Sequence, residues 1–134
     1  MGQQQLLLVI LVTIIVGIAT VVAINTFSSA ADSANLDAVR QDLAQIASSS
    51  QAYYIKPTML GGGGNTFSSM TFNQITFPSD SVYNSGLSAA NANGSYVMSV
   101  AAQTVTVTAT PSSGAVTSIV ATITPDNMSQ VTNQ

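Results

Sequence analysis

The sequence predicts an α+β fold: a long N-terminal helix whose hydrophobic half projects and whose amphipathic half packs on a small antiparallel β-sheet of about three or more strands. Three observations predict it. Residues Leu6–Ile24 are uncharged and almost wholly apolar, residues 36–53 repeat at three- and four-residue spacing, and residues from Tyr96 onward alternate at period two.

The apolar run comprises Leu6, Leu7, Leu8, Val9, Ile10, Leu11, Val12, Ile14, Ile15, Val16, Ile18, Val21, Val22 and Ile24, with Ala19 and Ala23 among them. Thr13, Gly17 and Thr20 are the interruptions, and a helix can satisfy threonine hydroxyls on its own carbonyls. At 1.5 Å per residue the run is about 30 Å long, enough to cross a hydrocarbon layer. Being apolar on all sides, it predicts a helix buried all round. Gly17 is its expected weak point.

The pattern then changes. Leu36, Val39, Leu43, Ile46, Ser50 and Tyr53 share one side, while Asp37, Gln41, Gln45 and Ser48 fall on the other. That is a one-sided amphipathic helix, and Pro57 ends it near Ile55. Helix–sheet packing is therefore assigned to Leu36, Val39, Leu43, Ile46 and Tyr53. The expected continuous helix runs from about Gln3 to Ile55, roughly 80 Å if straight. Residues 1–55 form this arm, with 6–24 hydrophobic and 30–55 amphipathic, and residues 56–134 form the β-rich domain.

Gly61–Gly64 reads as a flexible turn, since no Lys-Ser/Thr follows to make a phosphate loop. Phe67, Met70, Phe72, Ile75 and Phe77 are expected core plugs, on either a helical turn or short strands. Residues 80–93, rich in Ser, Asn and Gly, read as loop. Three strands follow, carrying Tyr96, Met98 and Val100, then Val105, Val107 and Ala109, then Ile119, Ala121 and Ile123. Asn93-Gly94 and Pro111-Ser112-Ser113-Gly114 supply turns. Thr104, Thr106, Thr108 and Thr110 take the opposite face of that three-stranded meander.

Composition excludes several functions. The 134 residues carry two basic and five acidic groups, a net charge of −3, and no His, Cys, Glu or Trp. The common zinc, copper, haem and iron–sulfur ligands are missing, and Ser-His and Cys-His catalysis cannot be built. No cofactor, metal site or catalytic residue is expected. Two separated cations argue against nucleic acid. Asn93-Gly94-Ser95 and Asn127-Met128-Ser129 match the N-glycosylation pattern, making Asn93 and Asn127 possible acceptors, although an Asn- and Ser-rich chain produces such matches by chance.

Met1-Gly2-Gln3-Gln4-Gln5-Leu6-Leu7-Leu8, a Gly shortly before the hydrophobic stretch, together with the order of elements, resembles a type IV pilin or pilin-like filament subunit. The resemblance implies processing after Gly2 by a prepilin peptidase and a filament core made of the hydrophobic helices. It also implies a membrane-inserted form before assembly, inner-membrane assembly machinery as partner, and an extracellular homopolymer, as in adhesion. Two features depart from the family. The leader Met1-Gly2 lacks basic residues, and Leu7 stands where the family places a Glu at the fifth mature position. Gln3, Gln4 and Gln5 can replace that carboxylate by hydrogen bonding between copies without burying a full charge, or can merely keep an interfacial end wet.

Other readings remain. Ser28-Ser29-Ala30 resembles a signal-peptide cleavage site, which would leave a secreted domain without the arm. A single-pass membrane-anchored domain and a pseudopilin-like secretion component share the architecture.

Overall fold

The computed structural model describes residues 2–134. One long α-helix, α1 (Gly2–Ile55), is followed by β1 (Ser81–Tyr83), β2 (Ser88–Asn91), β3 (Gly94–Val100), β4 (Val105–Pro111), β5 (Ser118–Ile123) and β6 (Met128–Asn133), with short 3-10 turns at Thr58–Leu60 and Asn84–Gly86. The six strands form one antiparallel sheet in chain order, each paired with its sequence neighbour. The architecture is α+β.

Residues up to Ser33 form one compact unit and Ala34–Gln134 the other. The amphipathic half of α1 thus belongs to the same compact unit as the sheet, because its apolar stripe is part of the sheet's core.

In the second unit α1 lays one stripe on the sheet. Val39, Leu43 and Ile46 are fully buried, Ala47 and Tyr53 nearly so, and Leu36 packs at the margin. The sheet answers with Tyr96 and Met98 from β3, Val105, Val107 and Ala109 from β4, and Ile119, Ala121 and Ile123 from β5. Ser50 also lies in the stripe, and its hydroxyl donates to Ile46 O at 2.6 Å, so no polar atom is stranded there.

Several expectations of the β-rich half change. Residues 80–93 are not simply loop: they contain β1 and β2, with Ser88–Asn91 paired to Gly94–Val97. β6 extends the sheet beyond the expected meander. Its sequence Met-Ser-Gln-Val-Thr-Asn has too little apolar alternation to declare a strand, and pairing with β5 supplies the order. The segment 66–78 is neither helix nor strand but a series of turns, with Phe67, Met70 and Phe72 buried in the core. As expected, α1 is one continuous helix through Gly17, where glycine's extra conformational entropy costs stability without distorting the backbone.

The glycine run is an ordered helix cap rather than a loose turn. Gly63 N donates to Tyr53 O at 2.8 Å, Gly64 N to Lys56 O at 2.9 Å and Gly62 N to Pro57 O at 3.1 Å. The Gly63 bond, with Asn65 N on Tyr54 O at 2.8 Å, satisfies carbonyls that the last helical turn leaves open, and the other two brace the turn that follows it. Gly61 takes a left-handed conformation at φ 81°. A side chain on Gly63 would strike the Thr66 carbonyl and the Tyr53 ring.

Leu43 is fully buried while Leu11 is 55% exposed. Leu43→Ala is expected to lower the stability of the detergent-dispersed subunit by about 2–5 kcal/mol, and Leu11→Ala to leave it nearly unchanged. Thermal unfolding followed by circular dichroism checks both.

Candidate functional site

The described part of the first unit is a helix whose apolar side chains are exposed. From Leu6 to Ile24 every Leu, Ile and Val is between 51% and 67% exposed, and Phe27 is 80% exposed. The most apolar 18-residue window of α1 has a mean hydropathy of 3.2 and no buried residue. Even its polar atoms are turned inward. Thr13, Thr20 and Thr26 donate their hydroxyls to Val9 O, Val16 O and Val22 O at 2.7, 2.8 and 2.9 Å. The surface thus offers hydrocarbon on every side with few unmet donors, the form a low-dielectric environment accepts.

Gly2 and the exposed Gln3, Gln4 and Gln5 occupy the first turns of α1. The first four N–H groups of any helix have no partner inside it, so this end is rich in hydrogen-bond donors. It bears no acidic residue in its first turn. Met1, which the resemblance assigns with Gly2 to a leader, lies outside the described residues.

A polar frame surrounds the helix–sheet core. Its centre is Asp42, whose Oδ2 accepts hydrogen bonds from Tyr96 OH at 2.6 Å, Asn93 Nδ2 at 2.8 Å and Asn91 Nδ2 at 2.9 Å. Among the described residues no cation joins them, and Arg40 pairs with Asp37 at 3.1 Å. Three convergent donors therefore compensate the carboxylate, and charge-assisted bonds of this kind are the stronger class. Asn91 Oδ1 in turn accepts from Asn93 N at 3.0 Å and Gly94 N at 3.3 Å, which builds the β2–β3 turn.

Asn35 extends the frame. Its Nδ2 donates to Asn93 O at 2.9 Å and Ser112 Oγ at 3.1 Å, and its Oδ1 accepts from Ser113 N at 3.2 Å. One side chain of α1 thus holds two hairpin turns. Gln51 Nε2 on Thr124 O at 3.1 Å and Ser49 Oγ on Thr76 O at 2.8 Å fasten the other end. Sequence reasoning missed Asp42 and Asn35. Only their positions at the margin of the apolar stripe signal them, and their partners lie roughly fifty residues or more away.

The two glycosylation candidates differ. Asn93 is half-buried with its Nδ2 on Asp42, so folding occupies the nitrogen a glycan would need. Asn127 is exposed in the β5–β6 turn. Among the described residues no three His, Cys, Asp or Glu side chains approach closely enough to hold a metal ion. No family model matches the chain, and no curated protein or solved structure is similar to it.

Burial first, and then the hydrogen bond and charge of Asp42, push the Tyr96 hydroxyl well above its ordinary value of 10.0, with the Asn91 contact opposing. A phenol whose folded value is raised stabilises the fold fully below its unfolded value and loses that contribution as pH rises above it. Stability is therefore expected to fall from about pH 10 upward. Tyr96→Phe should flatten that alkaline decline. Asp42→Ala should cost about 1.5–3 kcal/mol at neutral pH by stranding three donors. Urea unfolding between pH 7 and pH 11.5 measures both effects.

Proposed function

We propose that this chain is the structural subunit of an extracellular type IV pilus-like filament, polymerising through a bundle of its hydrophobic N-terminal helices. One observation carries the reading: the surface of Leu6–Ile24 is apolar on all sides and at least half exposed in the single chain. Burying each Leu, Ile or Val contributes roughly 1.5–3 kcal/mol, and the run holds enough of them for tens of kcal/mol gross. Association costs about 4–15 kcal/mol. Burial among copies wins by a wide margin.

Before assembly the same surface suits a lipid bilayer, whose hydrocarbon thickness of about 30 Å matches the run. Copies of the chain and an inner-membrane assembly machinery are the partners this reading requires. The small β domain then forms the outer layer, with a surface built from Ser, Thr, Asn and Gln. Gln3, Gln4 and Gln5 take the place of the missing acidic residue, hydrogen bonding between neighbouring N-termini.

A second reading, a single-pass anchor for the β domain, draws on the same match to bilayer thickness. The two separate in the assembled state. Under the filament reading, electron microscopy of shed cell-surface material shows fibres whose subunit, by mass spectrometry, retains Leu6–Ile24. A subunit that stays dispersed in the membrane, or a secreted form beginning near Ala31, overturns it.

Ile14→Asp should reduce filament yield about tenfold or more, since an acidic group at the centre of an apolar segment costs about 2.5–3.5 kcal/mol. Membrane insertion of this variant is measured separately. Replacing Gln3, Gln4 and Gln5 together by Ala should also impair assembly. Intact filaments from the triple variant would assign the glutamines no assembly role.

A further inference from the structure

The sheet has two open edges, and they are unlike. β1 is three residues long, preceded by Asp80 and Pro78. Short edges, charge and proline are the usual guards against strand addition. β6 has none of them. It is six residues long, and no charge or proline occurs from Met128 to Gln134.

The direction of its free backbone groups follows from the register. Thr124 N donates to Asn127 O at 2.8 Å, in line with the pairing Ile123↔Met128 through Ser118↔Asn133. Antiparallel ladders alternate hydrogen-bonded and non-hydrogen-bonded pairs. Ser129, Val131 and Asn133 therefore exchange their bonds with β5, and the N–H and C=O groups of Gln130 and Thr132 face away from the sheet.

Side chains on the outer face point to the occupant. Val97, Thr108, Val120 and Val131 stand opposite one another in successive strands, one rank across the sheet. The rank ends at Val131, which is 60% exposed. The charged residues of this unit lie off that face: Asp37, Arg40 and Asp42 on α1, Lys56 after it, Asp80 before β1 and Asp126 before β6.

We propose that the open edge of β6 pairs antiparallel with β6 of a second copy of this chain about a two-fold axis at Val131. This register places Val131 against Val131 and Gln130 against Thr132. The two Gln130–Thr132 pairs supply about four backbone hydrogen bonds. Parity permits it, because residues with outward groups must face residues of the same kind, and among the permitted registers this one sets the two exposed Val131 side chains against each other. The apolar rank then continues into the second sheet. The two Asp126 carboxylates sit at opposite ends of the ribbon, about 34 Å apart and beyond the Debye length of about 8 Å at physiological salt.

So few bonds hold isolated copies weakly, and arrays of copies multiply them. The proposal rests on the filament reading for that avidity alone, and it then joins neighbouring filaments side by side. The chain has no cysteine, so single Val131→Cys and Val97→Cys variants of the full-length protein report proximity cleanly. Val97 is also on the outer face, 47% exposed, but within the sheet.

With diamide as oxidant, Val131→Cys is expected to give at least fivefold more disulfide-linked dimer than Val97→Cys. Equal or absent cross-linking overturns the pairing. Val131→Lys should disperse lateral bundles into single filaments of unchanged number, with circular dichroism showing the fold retained. Bundles that persist in this variant also overturn it. If no filament forms but Val131→Cys still cross-links selectively in membranes, the strand pairing stands and the filament reading fails.

Discussion

Exclusion of water from one continuous helix is the constraint on which the rest of this structure depends. α1 meets it in two ways. From Val39 to Tyr53 a single stripe is covered by the chain's own sheet. From Leu6 to Ile24 all sides are apolar and the chain covers none of them. A helix of this kind needs cover from outside its own chain, since β-branched residues are poor helix formers in water and need burial to enforce the helix. The inward-bonded threonines fit the same requirement, leaving hydrocarbon outermost.

Covering only one stripe makes the second half of α1 depend on the sheet, and the sheet on it. The apolar faces of β3, β4 and β5 close over Val39, Leu43 and Ile46, while Asp42 and Asn35 at the margin fix rotation and register. A hydrophobic stripe alone tolerates sliding by a turn. Three donors converging on one carboxylate do not, because a shift would leave a charge without its partners. Asn35, bonded to both the 91–94 and 111–114 turns, adds a second point of registration. The pair locates the sheet along the helix.

Scarcity of charge gives the outer surface its character. With seven charged residues in the chain, solubility rests on hydroxyls and amides. The outer sheet face carries threonine and serine around the rank Val97, Thr108, Val120 and Val131, with no like-charge repulsion to keep copies apart. Such a surface suits close lateral packing. The contrast between a guarded β1 and an unguarded β6 then becomes meaningful, since of the two sheet edges β6 is the longer and carries no charged side chain or proline.

Periodicity alone determined the elements with strong local signals. The apolar run, the Leu36–Tyr53 stripe and the alternation at Tyr96–Met98, Val105–Ala109 and Ile119–Ile123 each announce their element without knowledge of the others, and Pro57 ends the helix by steric exclusion. The tertiary structure decided what non-local pairing creates. Ser88–Asn91 and Met128–Asn133 are too polar to declare themselves, and they become strands because β3 and β5 present backbone groups to them. Gly61–Gly64 became a cap because the helix end offers carbonyls to its N–H groups. Asp42 acquired its role from residues 49 to 54 positions away, a distance over which sequence spacing holds no geometric information.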